Sequence, residues 1–286
     1  MAHLLALRHG GGAPRLNALL QMDGREVRID LSRPFDLSVE LDFQGPQARH
    51  FGAPRAASQP YSVPGFPGSV TRGASCNCES ITLIPHCNGT HTECAGHLTR
   101  EPLHAQRIVP RGLLPALLMS AKAVSSDQTS ESSDPAPHAD DNVVTGAALR
   151  AAWPAELPFK PRALVIRTLP NEPAKRTRDY TDITPPYLTR EAAQYLVGRG
   201  IEHLVVDLPS IDRAHDEGRL TAHRLFFGLP AGETALAHAA RSTCTVTELA
   251  YIPDEAVDGP YLLEVQVPAI NGDAVPSRPL LYPVRS

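Results

Sequence analysis

Pro85-His86-Cys87-Asn88-Gly89-Thr90-His91-Thr92-Glu93-Cys94-Ala95-Gly96-His97 places three histidines and one carboxylate within a single short stretch. Asn88-Gly89 supplies a tight turn, because both residue types tolerate positive φ. With such a turn the side chains of His86, His91, Glu93 and His97 converge on one point. Neutral imidazole is the commonest biological metal ligand, and a neighbouring carboxylate adds the charge that zinc or manganese prefers. The stretch therefore reads as half of a metal site. Its spacing matches no zinc finger, HExxH helix or EF-hand.

Working outward, Ser80 to Ile84 reads as a compact β run that ends where the ligands begin, a rigid platform for them. Val27 to Ser32 reads as a short strand closed by Arg33-Pro34. Ser38 to Phe43 alternates, with Val39, Leu41 and Phe43 on one face and Glu40 and Asp42 on the other. Residues 44 to 75 are rich in Gly, Pro, Ser and Ala and read as a long loop. Ile108 to Ala123 is apolar and partly helix-prone, broken by Pro110 and Pro115. Val124 to Asn142 has five acids and no Lys or Arg, and reads as a flexible solvated insertion.

Ala163 to Thr168 reads as a buried strand, followed by a helix capped at Thr189 and running to about Val197, then a strand over His203 to Asp207. Strand, helix and strand in that order predict a parallel pair. Asp207 to Asp212 falls just past a strand end, where open α/β sheets place ligands. Ala222-His223-Arg224 opens a helix, Thr245 to Leu249 is a strand carrying Glu248, and Tyr261 to Pro268 is a further strand.

Three stretches together resemble the cyclase family of metal-dependent hydrolases, which includes bacterial kynurenine formamidase and isatin hydrolase. The usual motif is H-x-G-T-H-x-D-x-P-x-H. Here one extra residue separates His86 from Gly89, Glu93 replaces the Asp, and Ala95 replaces the Pro. Asp30-Leu31-Ser32-x-Pro34 is similar to the family's opening, and His223 and Glu248 occupy the positions of its second ligand group.

The resemblance implies a single mixed, β-rich α/β domain of the swivelling β/β/α type over residues 1–286. It assigns His86, His91, Glu93 and Glu248 to one ion and Glu93, His223 and Glu248 to a second, with His97 as proton carrier. One or two Zn2+ ions are implied, with Mn2+ as the other candidate. An aromatic shaping the substrate pocket falls on Phe43, whose competing reading is a core residue. The implied reaction is hydrolysis of an amide, formamide or lactam of a small-molecule substrate. Arylformamidase, which turns N-formylkynurenine into kynurenine and formate in tryptophan catabolism, is the nearest named activity. A homodimer or homotetramer is implied as well.

Composition excludes other classes. The 286 residues carry a net charge of −4, so there is no basic footprint for nucleic acid or anionic membrane. No run approaches the ~20 apolar residues needed to span a bilayer. The apolar run near Met1 is interrupted too early for a signal peptide. An odd count of five cysteines, with Cys76 and Cys78 adjacent but one, points to a reducing cytoplasm. Two other classes stay open. Cys76, Cys78, Cys87 and Cys94 form the candidate ligand set of a non-catalytic, zinc-stabilised binding protein, and the same scaffold also accommodates a metal-dependent lyase or dehydratase.

Overall fold

The computed structural model describes residues 16–285, so most of the amino-terminal run read above lies outside the described residues. Four strands form a parallel centre in the order Leu114–Lys122, Ala163–Leu169, His203–Val206 and Thr245–Glu248. Antiparallel strands extend it on both sides. Gly259–Gln266, Arg278–Arg285, Arg25–Asp30 and Asn17–Met22 follow on one side, and His91–Cys94 then Ala274–Pro276 on the other. With the short strand Phe35–Asp36 the sheet has eleven strands. This is the mixed, β-rich α/β architecture expected.

Each parallel strand is followed by a helix before the next: Gly146–Ala152, Arg190–Gly198 and Thr221–Phe227. All three pack on the same face of the sheet. Leu149, Ala192, Leu196, Ala222 and Phe226 meet Leu117, Met119, Leu164, Ile166, Leu204, Val206 and Val246 there. Alternate residues of the same strands, including Ala116, Leu118, Val165 and Val205, enter a second core with Ile252, Leu263 and Leu281. Strands buried on both faces are apolar throughout, which is why Leu114–Lys122 shows no period-two pattern. Its apolar run reads as helix-prone in isolation, and the structure corrects that reading to a central strand. Thr189 caps its helix as expected, its side chain accepting from the Ala192 N–H at 3.0 Å.

Three further readings change. Ser38 to Phe43 forms no strand; instead the Val39 N–H donates to the Thr90 hydroxyl at 2.8 Å and the Tyr251 N–H to the Leu37 carbonyl. The β run before His86 is Glu79–Thr82, paired only with Ala57–Pro60 in an exposed hairpin, and does not form the ligand platform. The acidic stretch expected to be flexible is tied down. Glu131 accepts from the Gly146 and Ala147 N–H groups and the Thr189 hydroxyl, and buried Asp141 binds Arg213 and the Tyr187 hydroxyl. Among the described residues, no helix is long and apolar enough to cross a membrane.

Candidate metal centre

The chain turns over Pro85–Cys87, just before the expected Asn88-Gly89, and of that pair only Gly89 takes a positive φ. The N–H groups of Cys87 and Asn88 both donate to the Ile84 carbonyl, and the Asn88 side chain returns a hydrogen bond by accepting from the Ile84 N–H at 2.8 Å. Gly89 has φ +71°, and a Cβ there would sit 3.0 Å from the Leu41 side chain. The chain then enters the strand His91–Cys94, which lies between Thr245–Glu248 and Ala274–Pro276. Period-two alternation divides this strand. Thr92 and Cys94 turn one way, to the Thr247 hydroxyl and to Ala105 and Val275, while His91 and Glu93 turn to the helix face.

Glu248 pairs directly opposite His91, and the helix Thr221–Phe227 lowers His223 over the same spot. The resulting distances are short. Glu93 Oε1 lies 2.6 Å from His223 Nε2, and Glu93 Oε2 lies 2.9 Å from His86 Nδ1. Glu248 reaches His91 Nε2 at 3.5 Å and His223 Nε2 at 3.4 Å. His97 lies alongside, its ring centroid 4.2 Å from that of His86 and 5.7 Å from that of His223. All six residues expected to form the centre therefore meet around Glu93, although 25 positions separate His223 from Glu248 and more than a hundred separate either from the opening stretch.

Each of the three nearest histidines is held from behind by its other ring nitrogen. His91 Nδ1 contacts the Gly89 carbonyl at 3.1 Å, His223 Nδ1 contacts Asp212 at 2.7 Å, and His86 Nε2 contacts Asp273 at 2.8 Å. Such outer partners select the tautomer that leaves the inward nitrogen with a free lone pair. Asp212 does more: it also accepts from the Ala222 and His223 N–H groups at 2.6 and 3.0 Å, capping a helix whose own N-cap residue, Leu220, provides no cap. Glu248 is fixed by the Ile211 N–H, which donates at 2.7 Å.

The inward atoms are unsatisfied. His91 Nε2, Glu93 Oε1 and His223 Nε2 are buried without a hydrogen-bond partner, the Glu93–His223 approach being out of hydrogen-bonding geometry. Native proteins rarely leave such atoms orphaned unless an ion or water completes them. Two overlapping donor groups have ligand atoms close enough to share an ion: His91, Glu93 and Glu248, and His86, Glu93 and His97. Imidazole nitrogens with carboxylate oxygens suit zinc or manganese, so the residues present fit a divalent ion.

Charge makes the same demand. Burial pushes the Glu93 carboxyl up, but the neighbouring His223 and His97 outweigh it and hold it well below the usual range. Burial and the Glu93 charge both raise Glu248, yet the facing rings of His223 and His91 leave it lowered. Burial lowers His223, and Glu93 and Asp212 reverse that, raising it well above an ordinary histidine. Two ionised carboxylates buried together require positive charge, which protonated imidazoles supply where no cation does.

The cysteines take no part. Cys76 and Cys78 are exposed, and Cys94 faces away from the centre with its thiol pushed up to about 12 by burial. Among the described residues, no cysteine, Cys87 included, belongs to a group whose ligand atoms come close enough to share an ion. The cysteine-ligated alternative therefore loses its geometry. Phe43 sits in a half-buried bend over residues 43–45, outside the hydrophobic clusters, so it is not the strand-face core residue its alternation suggested. Asp212 and Asp273 were not legible as site residues. The Asp207 to Asp212 stretch past a strand end was the only sequence signal near the first, and the Asn271-Gly272 turn the only one near the second.

The profile of the family described as "Putative cyclase" matches residues 29–213. No curated protein sequence matches the chain. Among solved structures, the chain is similar to a potential metal-dependent hydrolase with cyclase activity, at 15% identity and a TM-score of 0.57, covering 87% of this chain and 97% of that one. It is likewise similar to an isatin hydrolase bound to the product analogue thioisatinate, at 17% identity and TM-score 0.57, covering 88% and 93%. Isatin hydrolase A from Labrenzia aggregata follows at 19% identity and TM-score 0.55, covering 87% and 93%. A profile match across most of the sequence, on a fold shared with these structures over nearly its whole length, establishes that the chain belongs to the cyclase family.

Proposed function

We propose that the chain is a metal-dependent hydrolase of a C–N bond in an amide, formamide or lactam, with arylformamidase as the nearest named activity. The observation that carries this reading is the set of buried, unpartnered atoms His91 Nε2, Glu93 Oε1 and His223 Nε2 facing one another beside Glu248. His86, His91, Glu93, His223 and Glu248 would hold one or two divalent ions, zinc or manganese. Such an ion acidifies water toward neutral pH and polarises a carbonyl.

The remaining work falls to the protein's own groups. His97 stands at the edge of the cluster, half-buried, with its ring beside His86 and His223. From there it takes a proton from the attacking water and delivers one to the leaving nitrogen, the general acid–base role a positioned imidazole performs best. Glu93 in place of the shorter Asp adds about one methylene of reach, and the extra residue before Gly89 moves His86 as well. The two changes compensate, since Glu93 still contacts both His86 and His223.

Elemental analysis of purified protein tests the metal. Zinc or manganese at one or two equivalents supports the reading, and none after supplementation overturns it. Substituting Cys87 and Cys94 together should leave that metal content unchanged. A panel of N-formyl aromatic amines, lactams and hydroxy acids tests the chemistry; dehydrated product from the hydroxy acids, with no hydrolysis elsewhere, would move the assignment to a lyase. Five free cysteines support a reducing cytoplasm. The hairpin segment exposes Tyr61, Val63, Val70 and Ile81, which supports a homodimer or homotetramer. Light scattering of the pure chain tests this, and a monomer at micromolar concentration would refute it.

A further inference from the structure

The carboxylate of Asp273 touches two members of the centre with one oxygen. Its Oδ2 lies 2.8 Å from His86 Nε2 and 3.5 Å from His97 Nδ1, and the two rings lie against each other with centroids 4.2 Å apart and planes 33° from parallel. His86 is a metal ligand in the reading above and His97 is the proton carrier. Both therefore take their orientation from the same outer atom. Asp212 plays a related part for His223, but serves only that one ring.

The backbone explains how a half-exposed carboxylate stays in place. The Asp273 carbonyl accepts from the Cys94 N–H at 3.0 Å, and the Gly272 carbonyl accepts from the Ala105 N–H at 2.8 Å. The next residue, Ala274, pairs with Glu93 in the sheet. Gly96 permits the approach from the other side. A Cβ at that position would stand 2.3 Å from the Leu103 carbonyl oxygen and 3.2 Å from Asp273 Cβ. The short turn Ala95–His97 that carries the proton carrier is thus packed directly against the loop that carries Asp273.

Ring chemistry gives this arrangement a direction. A carboxylate accepts from an imidazole N–H and so selects which nitrogen bears the proton. At His86 the carboxylate accepts from Nε2–H and leaves Nδ1 as the nitrogen that faces Glu93 and would hold an ion. At His97 the proton sits on Nδ1, leaving Nε2 to exchange protons with a reacting molecule, the orientation a carboxylate imposes on a catalytic histidine. We infer that Asp273 is a positioning residue that, through one oxygen, sets both the metal-binding tautomer of His86 and the proton-carrying tautomer of His97. This rests on the proposed hydrolase reading for the roles of the two histidines.

The test compares Asp273→Ala and Asp273→Asn with the wild-type chain, each checked for an unchanged circular dichroism spectrum. Zinc affinity is measured by competition with a chromophoric chelator, ring tautomers by nitrogen-15 NMR of the imidazoles, and kcat and KM on whichever panel substrate is turned over. For Asp273→Ala we expect a roughly 10–100-fold loss of zinc affinity, the range typical of removing an outer partner of a ligand histidine. We also expect mixed tautomers at His86 and His97, and a fall in kcat larger than any change in KM. Asp273→Asn keeps an acceptor oxygen and should recover most of the zinc affinity. Wild-type zinc affinity and unchanged tautomers in Asp273→Ala would overturn the inference. The two readings fail separately. If no substrate is hydrolysed, the hydrolase assignment falls while zinc affinity and tautomers still judge Asp273. If the wild-type chain binds no metal, the ring orientations of His86 and His97 in the metal-free protein, read from side-chain NMR contacts, decide, and their persistence in Asp273→Ala refutes the role.

Discussion

Glu248 and His91 face each other across an antiparallel strand pair, with carboxylate and imidazole 3.5 Å apart and both side chains buried. Sheet register, rather than a flexible loop, sets the distance between these two groups. A one-residue slip would turn either side chain to the opposite face of the sheet.

Glu248→Gln removes one of two buried negative charges. In metal-free protein the change should lower the melting temperature, because the lowered Glu248 carboxyl shows that the facing His223 and His91 outweigh burial and the repulsion from Glu93. The response to zinc should collapse. A ligand at a thousand times its dissociation constant stabilises by about 4 kcal/mol, or roughly 10 °C for a chain of this size. The wild type should lose that increment to a chelator, and Glu248→Gln should not show it. Thermal melts with zinc and with chelator make the comparison.

Asp212 both caps the helix Thr221–Phe227 and orients His223. Asp212→Ala should destabilise the fold by about 1 kcal/mol through the lost cap, and weaken metal binding about 10–100-fold through the freed imidazole. Asp212→Asn keeps only one acceptor oxygen, its amide N–H2 facing the other donor, and should restore only part of the stability. Denaturant melts and metal titration separate the two effects.

Acid sensitivity should have a component outside the metal centre. Burial is the main force on His203 and pushes it from 6.5 down to about 4, with its Nδ1 against the Thr245 hydroxyl at 2.9 Å. A folded-state value below the unfolded one means that the unfolded chain binds the proton first. Stability from this group is therefore complete above pH 6.5 and is lost as pH falls toward 4, by about 3 kcal/mol at most. His203→Asn should flatten that limb of the stability curve. An unchanged slope in urea melts between pH 6.5 and 4 would count against a neutral buried His203.

Gly89→Ala tests the turn. Positive φ and a Cβ 3.0 Å from Leu41 oppose any side chain, and a loss of about 1–3 kcal/mol is expected from strain of this kind. Because Gly89 lies between His86 and His91 in the chain, metal affinity should fall as well. Equal stability and equal affinity in the variant would show that the turn relaxes freely.

The ligand-bearing stretch from His86 to His97 was legible because its groups are close in the chain and Gly89 marks the positive-φ position between His86 and His91. The helix after Thr189 and the strand at Ala163–Leu169 were legible for similar local reasons, a cap and a short apolar run. Local pattern failed where long-range pairing decided the outcome. Leu114–Lys122 lacks alternation because both of its faces are buried, whereas the alternating Ser38 to Phe43 finds no strand partner, and its neighbours bond to Thr90, Tyr251 and Pro279 instead.

By itself the amino-acid sequence determined the ligand cluster from His86 to His97 and the alternation of strands with helices, since motif spacing and apolar periodicity are properties of neighbouring residues, while the family resemblance pointed to His223 and Glu248. Only the tertiary structure decided which face of the strand His91–Cys94 is the working one, and which groups stand behind the histidines. Asp212 lies 11 positions from His223, and Asp273 lies 187 from His86. A hydrogen bond depends on direction and on a distance near 3 Å. Neither can be read from a sequence until the sheet and its loops have brought the two atoms together.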